Sequence, residues 1–225
     1  MTIRTTALLA VSVNVTPSKG YKGDSFSLSA SWDSGGVGPF NVSINWGDGS
    51  YTNLSTTSKS ISRSHVYSST GNFTAKVSVD DEYTAASGSG SDSVEVRSSL
   101  SASLSSDKTT GDIPLTVNFI CAMSGGYTPY NWLLTYGDGG SDSGQRATEG
   151  EVFPGHTYTQ VGTFTATLTV TDALGLSKIV KSTIKAGALI TQNILQILLP
   201  TIAGLTIMAL SSKKKWYHLF SPKIL

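Results

Sequence analysis

The stretch "NWGDGS", residues 45–50, returns ninety residues later as "TYGDGG", residues 135–140, and how this pair is read decides the fold. A Gly-Asp-Gly loop that occurs twice is either two chemical sites or the same corner of a duplicated domain. The flanking sequence favours the second. "GGVGPFNVSINWGDGS" at 35–50 matches "GGYTPYNWLLTYGDGG" at 125–140 at a constant offset of ninety, pairing Pro39 with Pro129, Trp46 with Tyr136 and Asp48 with Asp138. Further on, "HVYSSTGNFTAKVSVDD" at 65–81 matches "HTYTQVGTFTATLTVTD" at 156–172 at an offset of ninety-one, so one residue is inserted between the two motifs. The second copy carries a longer loop, "SDSGQRATEGEVFPG", before its His156.

Each copy reads as strands. "FTAKVSV" puts Phe73, Ala75, Val77 and Val79 on one face, and "FTATLTV" does the same with Phe164, Ala166, Leu168 and Val170. Several such runs, separated by Gly, Ser, Asp and Pro turns, predict an antiparallel sandwich of about seven strands in each copy. Within "WGDG" the glycines supply backbone angles that other residues resist, and Asp48 or Asp138 is placed to cap nearby amides. Trp46 or Tyr136 is expected to pack inward from the strand end. His65 with Tyr67, and His156 with Tyr158, stand before the turn into the next strand, where a tyrosine hydroxyl ties the corner to backbone.

Taken together, W-G-D-G, then H-x-Y, G-x-F and an alternating strand ending in Asp, resemble the PKD domain, the polycystic-kidney-disease type of Ig-like β-sandwich. The resemblance covers about 180 of the 225 residues, departing in the second copy at Tyr136 and in the longer loop. It implies an all-β protein of two consecutive Ig-like sandwiches, of the kind found on cell surfaces and in archaeal surface proteins. The expected boundaries are an N-terminal extension at 1–8, sandwiches at 9–97 and 98–186, a single transmembrane helix at 187–211 and an internal tail at 212–225. The short linker "VRSSLSAS" predicts domains strung end to end with limited swing.

The membrane expectation comes from composition. From Ala186 to Leu210 there are 25 residues without a charge, long enough at 1.5 Å per residue to cross a hydrocarbon core of about 30 Å. Lys213, Lys214 and Lys215 follow, then Trp216, the cation and aromatic boundary of a helix leaving a bilayer. The lysines predict a tail on the inside and sandwiches outside. Gln192, Asn193 and Gln196 are costly to leave in lipid, and Gln192 and Gln196 share a helix face. They are expected either to lie near the outer headgroups or to bond neighbouring copies. Pro200 is expected to kink the helix. The N-terminal "MTIRTTALLAVSV" is a poor secretory signal, and its "VSVNV" alternates like a strand and aligns with "SASLS" at 101–105.

Other classes are disfavoured. Only 14% of the chain is charged, against about 25% in a typical soluble domain, so Ser and Thr must wet the surface. Residues 1–212 hold 12 basic and 15 acidic residues, a net of −3, which argues against nucleic acid as a partner. The single Cys121 excludes an internal disulfide framework and reads as a small buried hydrophobe. A catalytic reading of Asp48 and His65 lacks a nucleophile motif, and no cofactor is implied. Asp80, Asp81 and Glu82 suit calcium in ligand type but not in spacing. Sequons stand at Asn14, Asn41, Asn53 and Asn72, with Asn53, in a polar loop, the best placed for glycosylation.

The function expected is a non-enzymatic, membrane-anchored structural or adhesive surface protein: a stalk, a surface-layer component, or an envelope or tail component of an archaeal virion. Its partners would be the bilayer, other copies of itself, or other surface or virion proteins. One rival is an accessory module of a secreted hydrolase. Another is a glycan or protein receptor, which predicts a solvent-facing patch of Tyr127, Tyr130 and Trp132; the same residues could instead fill the core or the contact between domains.

Overall fold

The computed structural model describes residues 8–33 and 35–188. Every regular element in them is a strand. The first sandwich contains β1 (Val11–Thr16), β2 (Lys19–Tyr21), β3 (Ser25–Trp32), β4 (Phe40–Asn45), β5 (Tyr51–Thr56), β6 (Ser60–Val66), β7 (Gly71–Asp81) and β8 (Ser87–Arg97). The second contains β9 (Ser101–Ser106), β10 (Thr110–Asp112), β11 (Leu115–Ser124), β12 (Tyr130–Thr135), β13 (Ser141–Arg146), β14 (Gly150–Val152), β15 (Gly155–Tyr158), β16 (Gly162–Thr171) and β17 (Ser177–Gly187). In the first, a sheet in the order β1-β3-β6 faces one in the order β2-β8-β7-β4-β5. In the second, β11 is flanked by β9 on one side and by β14 and β15 on the other, facing β10-β17-β16-β12-β13.

Alternation of residue type builds both cores. In β3 the side chains of Phe26, Leu28, Ala30 and Trp32 are buried and the serines between them are exposed. β11 repeats this with Val117, Phe119, Cys121 and Met123. Each sandwich has its own core: Trp46, Tyr67 and Ile44 are among the buried side chains of the first, and Tyr136, Tyr158 and Leu134 of the second. Cys121 is fully buried, which pushes its thiol up to about 11. This is the inert hydrophobe that its isolation in the sequence suggests.

Strand pairing corrects several sequence expectations. The sandwiches are not wholly antiparallel, because the short β2 and β10 run parallel to β8 and β17. β1 and β9 correspond at an offset of ninety-one rather than ninety: Val13 pairs with Ala30, whereas Leu104 pairs with Cys121, the counterpart of Ala30. A one-residue slip would have put Val13 opposite an outward serine. The extra residue of the second copy lies in the turn between β13 and β14, which has four residues before Glu151 where the first has three before Ser60. Asn53 is not in a loop; it sits within the edge strand β5, paired with Ser43, with its side chain exposed.

The outer faces of the two sandwiches differ. On the first, the pairing lays out polar rows Ser12–Ser31–Ser60, Asn14–Ser29–Ser62 and Thr16–Ser27–Ser64. Its other sheet continues the pattern with Asn53–Ser43–Ser78–Ser89. On the second, Ser105 pairs with Ile120 at the places of Asn14 and Ser29, and Phe153, just past the end of β14, takes the place of Ser62; the row matching Asn53–Ser43–Ser78–Ser89 is Ser143–Leu133–Thr169–Ile179.

Among the described residues no helix is long and apolar enough to cross a membrane. The expected helix at 187–211 and tail at 212–225, with Gln192, Asn193, Gln196, Pro200, Lys213, Lys214, Lys215 and Trp216, lie outside the described residues apart from the end of β17 and Ala188.

Candidate functional site

The repeated motif forms one corner in each sandwich, between the end of β4 and the end of β6, or of β12 and β15. Gly47 has φ +84°, and a Cβ there would stand 2.7 Å from the carbonyl oxygen of Thr74 and 2.8 Å from its nitrogen. Gly137 has φ +88° and meets Thr165 at 2.7 Å in the same way. The glycine is therefore required twice over, by the left-handed backbone and by the close approach of the next strand. Trp46 N–H donates to the Ser50 carbonyl at 3.1 Å, and Tyr136 N–H to that of Gly140 at 2.9 Å, closing the turn.

Side chains lock the corner. Asp48 Oδ1 accepts from the Ser50 amide at 3.0 Å and its hydroxyl at 2.6 Å, while Oδ2 lies 2.7 Å from His65 Nε2. The second copy keeps the amide bond from Gly140 at 3.0 Å and the His156 contact at 2.6 Å. Each histidine lies flat on its aromatic neighbour, His65 on Trp46 with centroids 4.5 Å apart and His156 on Tyr136 at 4.0 Å. Each also meets a tyrosine edge, Tyr67 at 4.6 Å and Tyr158 at 4.7 Å. The tyrosine hydroxyls donate to the carbonyls of Trp46 at 3.1 Å and Tyr136 at 3.0 Å. The exchange of Trp46 for Tyr136 is compensated next door. The indole Nε1–H donates to Thr52 Oγ1 at 3.0 Å, and Tyr136 OH donates to Asp142 Oδ2 at 2.9 Å, from the corresponding place on the neighbouring strand.

The charge balance of the corner is set by these bonds. Burial opposes ionisation of Asp48, but the hydrogen bonds from Ser50 and His65 outweigh it and hold the carboxyl at about 2. Asp138 is lowered likewise, with His156 and the Gly140 amide acting against burial. Burial, with the nearby carboxylate second, pushes both Tyr67 and Tyr158 up to about 12. Such an arrangement presents no hydroxyl nucleophile to the imidazole. The hydroxyl of Ser50 is bonded to the carboxylate rather than to the imidazole, and Gly140 takes its place in the second copy.

A second constellation joins the sandwiches. Tyr127, in the loop between β11 and β12, is 4% exposed, and its hydroxyl enters the first sandwich. There it accepts from the Gly20 amide at 3.1 Å and donates to the Glu95 carbonyl at 2.7 Å. Lys19 Nζ and the Arg97 guanidinium lie 5.6 and 5.2 Å from the centre of its ring, and Glu95 pairs with both at 3.3 and 2.7 Å. In return, Tyr21 OH donates to Asp172 Oδ2 at 2.6 Å. That carboxylate also accepts from the amides of Tyr127, Leu174 and Leu176, each at 3.0 Å. Burial first, then Asp172, raises the Tyr21 hydroxyl far above its ordinary value, so it remains a donor.

At the opposite end of the molecule, Asp81 is the counterpart of Asp172. It accepts from the amides of Val37, Gly38 and Thr84 at 2.7 Å and of Tyr83 at 2.9 Å. These bonds, that from Gly38 first, hold its carboxyl well below the usual range against burial. The calcium reading of Asp80, Asp81 and Glu82 fails on this geometry, because four amides already occupy the central carboxylate. Among the described residues no group of three acidic, His or Cys side chains is placed to hold a metal. The expected aromatic patch is also not a surface. Tyr127 is buried in the junction and Tyr130 in the core, and Trp132 packs partly buried against that core. The roles of Lys19, Tyr21, Glu95, Arg97 and Asp172 in the junction have no local signature, since the Tyr21–Asp172 bond spans 151 positions.

Comparison with known proteins accords with this description. The PKD domain family model matches residues 99–183, so this part of the chain is a PKD domain. No curated protein matches the chain. Among solved structures, it is similar to the PKD domain of an M14-like peptidase from Thermoplasmatales archaeon SCGC AB-540-F20, at 20% identity and TM-score 0.36 over 38% of this chain and 92% of that one. It is similar to a 1.5-MDa bacterial ice-binding adhesin, at 14% identity and TM-score 0.42 over 82% of this chain and 67% of the other. It is also similar to the Yersinia pseudotuberculosis adhesin InvE, at 12% identity and TM-score 0.30 over 77% and 58% of the two chains.

Proposed function

We propose that this chain, whose residues 99–183 are a PKD domain, is a non-enzymatic surface protein: two PKD-type sandwiches fixed end to end and held outside a membrane by a helix at 187–211, with the basic tail 212–225 inside. The observation that carries the reading is the fate of the polar motif residues. Asp48, His65, Tyr67 and their counterparts Asp138, His156 and Tyr158 are all bonded to one another or to backbone, leaving none to meet a substrate. The Tyr127 junction supports a spacer or stalk, since a displayed rod needs a stiff joint. A layer component or an archaeal virion envelope or tail component has the same requirements. Gln192, Asn193 and Gln196 would then bond between neighbouring copies, and Asn53, exposed on an edge strand, would accept a glycan.

The test is fractionation of the full chain beside one ending at residue 188. The full chain should sediment with membranes, resist alkaline extraction and lose its sandwiches to protease added outside; the shortened chain should stay in the supernatant. A full chain freely soluble without detergent would overturn the anchored reading.

A further inference from the structure

The second sandwich carries exposed apolar side chains where the first, in the same fold, carries serine. On the outer face of the three-stranded sheet these are Ile120 and Phe153, 37% and 68% exposed, at the positions of Ser29 and Ser62. On the opposite face of the same sandwich they are Leu133 and Ile179, 43% and 59% exposed, at the positions of Ser43 and Ser89. The fold does not require them, because the first sandwich closes its core with hydroxyls outside. Ile120 and Phe153 both adjoin the Cys121–Val152 pair, and Leu133 and Ile179 share one row with Thr169 between them; exposed apolar side chains gathered on a solvent face in this way mark an interaction surface.

Each face mixes charges, with Asp107 and Lys108 against β11 on one and Asp112 on the other, but carboxylates stand nearest Ile120 and Phe153 and ammonium groups nearest Leu133 and Ile179. Glu151, exposed and paired with Ala122, stands one row from Ile120; with Glu149, whose Oε1 accepts from the Gly125 amide at 2.7 Å, it lines an open groove with Ser101, Ser103 and Ala122. Beside Leu133 and Ile179, Lys181 and Lys185 project from β17, with Asp112 at the sheet edge. Lys181 pairs with Thr167, one row from Leu133 and Ile179.

We infer that the second sandwich associates laterally with a second copy of this chain, the Ile120–Phe153 face of one against the Leu133–Ile179 face of the next. An apolar pair meets an apolar pair, and the lysines of one copy reach the glutamates of the other. Because the two faces lie on opposite sides of one sandwich, the contact is heterologous: it repeats from copy to copy and gives rows or closed rings rather than an isolated two-fold dimer. The partner faces keep both copies upright side by side, which deepens and rests on the surface-protein reading above. The first sandwich, with serines at these positions, stands clear of the contact.

Mixing two variants of the full chain tests this in detergent solution by sedimentation velocity. I120S/F153S disables one face and L133S/I179S the other, each installing the residue that the first sandwich already tolerates. The unaltered chain should form concentration-dependent species larger than a dimer. Either variant alone should associate about tenfold more weakly or worse. An equimolar mixture of the two should form a dimer and stop there, because each variant retains the face that the other has lost. Unchanged circular dichroism and melting of the variants excludes misfolding. Association that persists in both variants would overturn the inference in favour of contacts elsewhere, such as the 187–211 segment, and leave the surface-protein reading standing. A monomeric unaltered chain, or a mixture that fails to pair, would overturn it outright.

Discussion

The two sandwiches share a corner almost atom for atom and share very little of their surface. In the corner, Asp–His contacts of 2.7 and 2.6 Å and tyrosine–carbonyl bonds of 3.1 and 3.0 Å recur, and even the Trp46 to Tyr136 exchange is matched by Thr52 giving way to Asp142. Outside, serine rows have become rows with isoleucine, leucine and phenylalanine. The loops diverge as well: Val37, 73% exposed, stands at the free end where the second copy has the buried Tyr127. A duplicated fold thus holds its corner constant, where each atom has several neighbours, and changes where side chains meet solvent or a partner.

The severest way to break the likeness is to add a methyl group at Gly47 or Gly137. Gly47→Ala should unfold the first sandwich, costing more than about 4 kcal/mol because both the backbone angle and the Thr74 backbone oppose it. NMR spectra should lose the signals of that sandwich and keep those of the other, and Gly137→Ala should do the reverse. Next is the junction. Tyr127→Ala should remove about 3 kcal/mol of coupling by deleting a buried ring and both its backbone bonds. Calorimetry should then separate the melting of the two sandwiches, and small-angle scattering should show a broader spread of interdomain distances.

Acid should act through the corners. The folded carboxyl of Asp48, at about 2, lies below an unfolded value of about 3.9, so its contribution is present above pH ~4 and is lost as pH falls through ~2. Asp48→Asn should flatten the acid limb of the first sandwich's stability curve between these limits. A finer test converts one corner into the other. Trp46→Tyr should destabilise by about 1 kcal/mol through the lost bond to Thr52, and adding Thr52→Asp should recover part of it, giving a coupling of about 0.5–1 kcal/mol in a double-mutant cycle. A coupling of zero would show that the paired exchange is coincidental.

Much of this was legible in the residues. The alternation of "FTAKVSV" and "FTATLTV" reports burial directly, because an inward side chain every second position is both a sequence pattern and a packing requirement. The offsets of ninety and ninety-one were legible where glycine, proline and aromatics pin the alignment. They were not at β1 and β9, where "VSVNV" and "SASLS" offer too few distinctive residues to fix the register and only pairing with β3 and β11 does so. Asn53 reads as a loop because polar residues surround it, yet in an edge strand with both neighbours exposed polarity is what the position permits. The sequons have a related origin. In a strand, Asn and the Ser or Thr two places on share a face, so a hydroxyl-rich outer surface generates the motif wherever Asn appears on it. The junction could not be read, because it depends on how one whole domain sits on another.

The serine lattice of the first sandwich has a consequence for where such a molecule can work. A surface wetted by carboxylates and ammonium groups changes its effective field as dissolved ions accumulate around it, whereas hydroxyl groups offer the same donors and acceptors in fresh water and in brine. The serine rows of the first sandwich therefore keep one character in solutions of very different salinity, a property that would suit the outward position proposed for it.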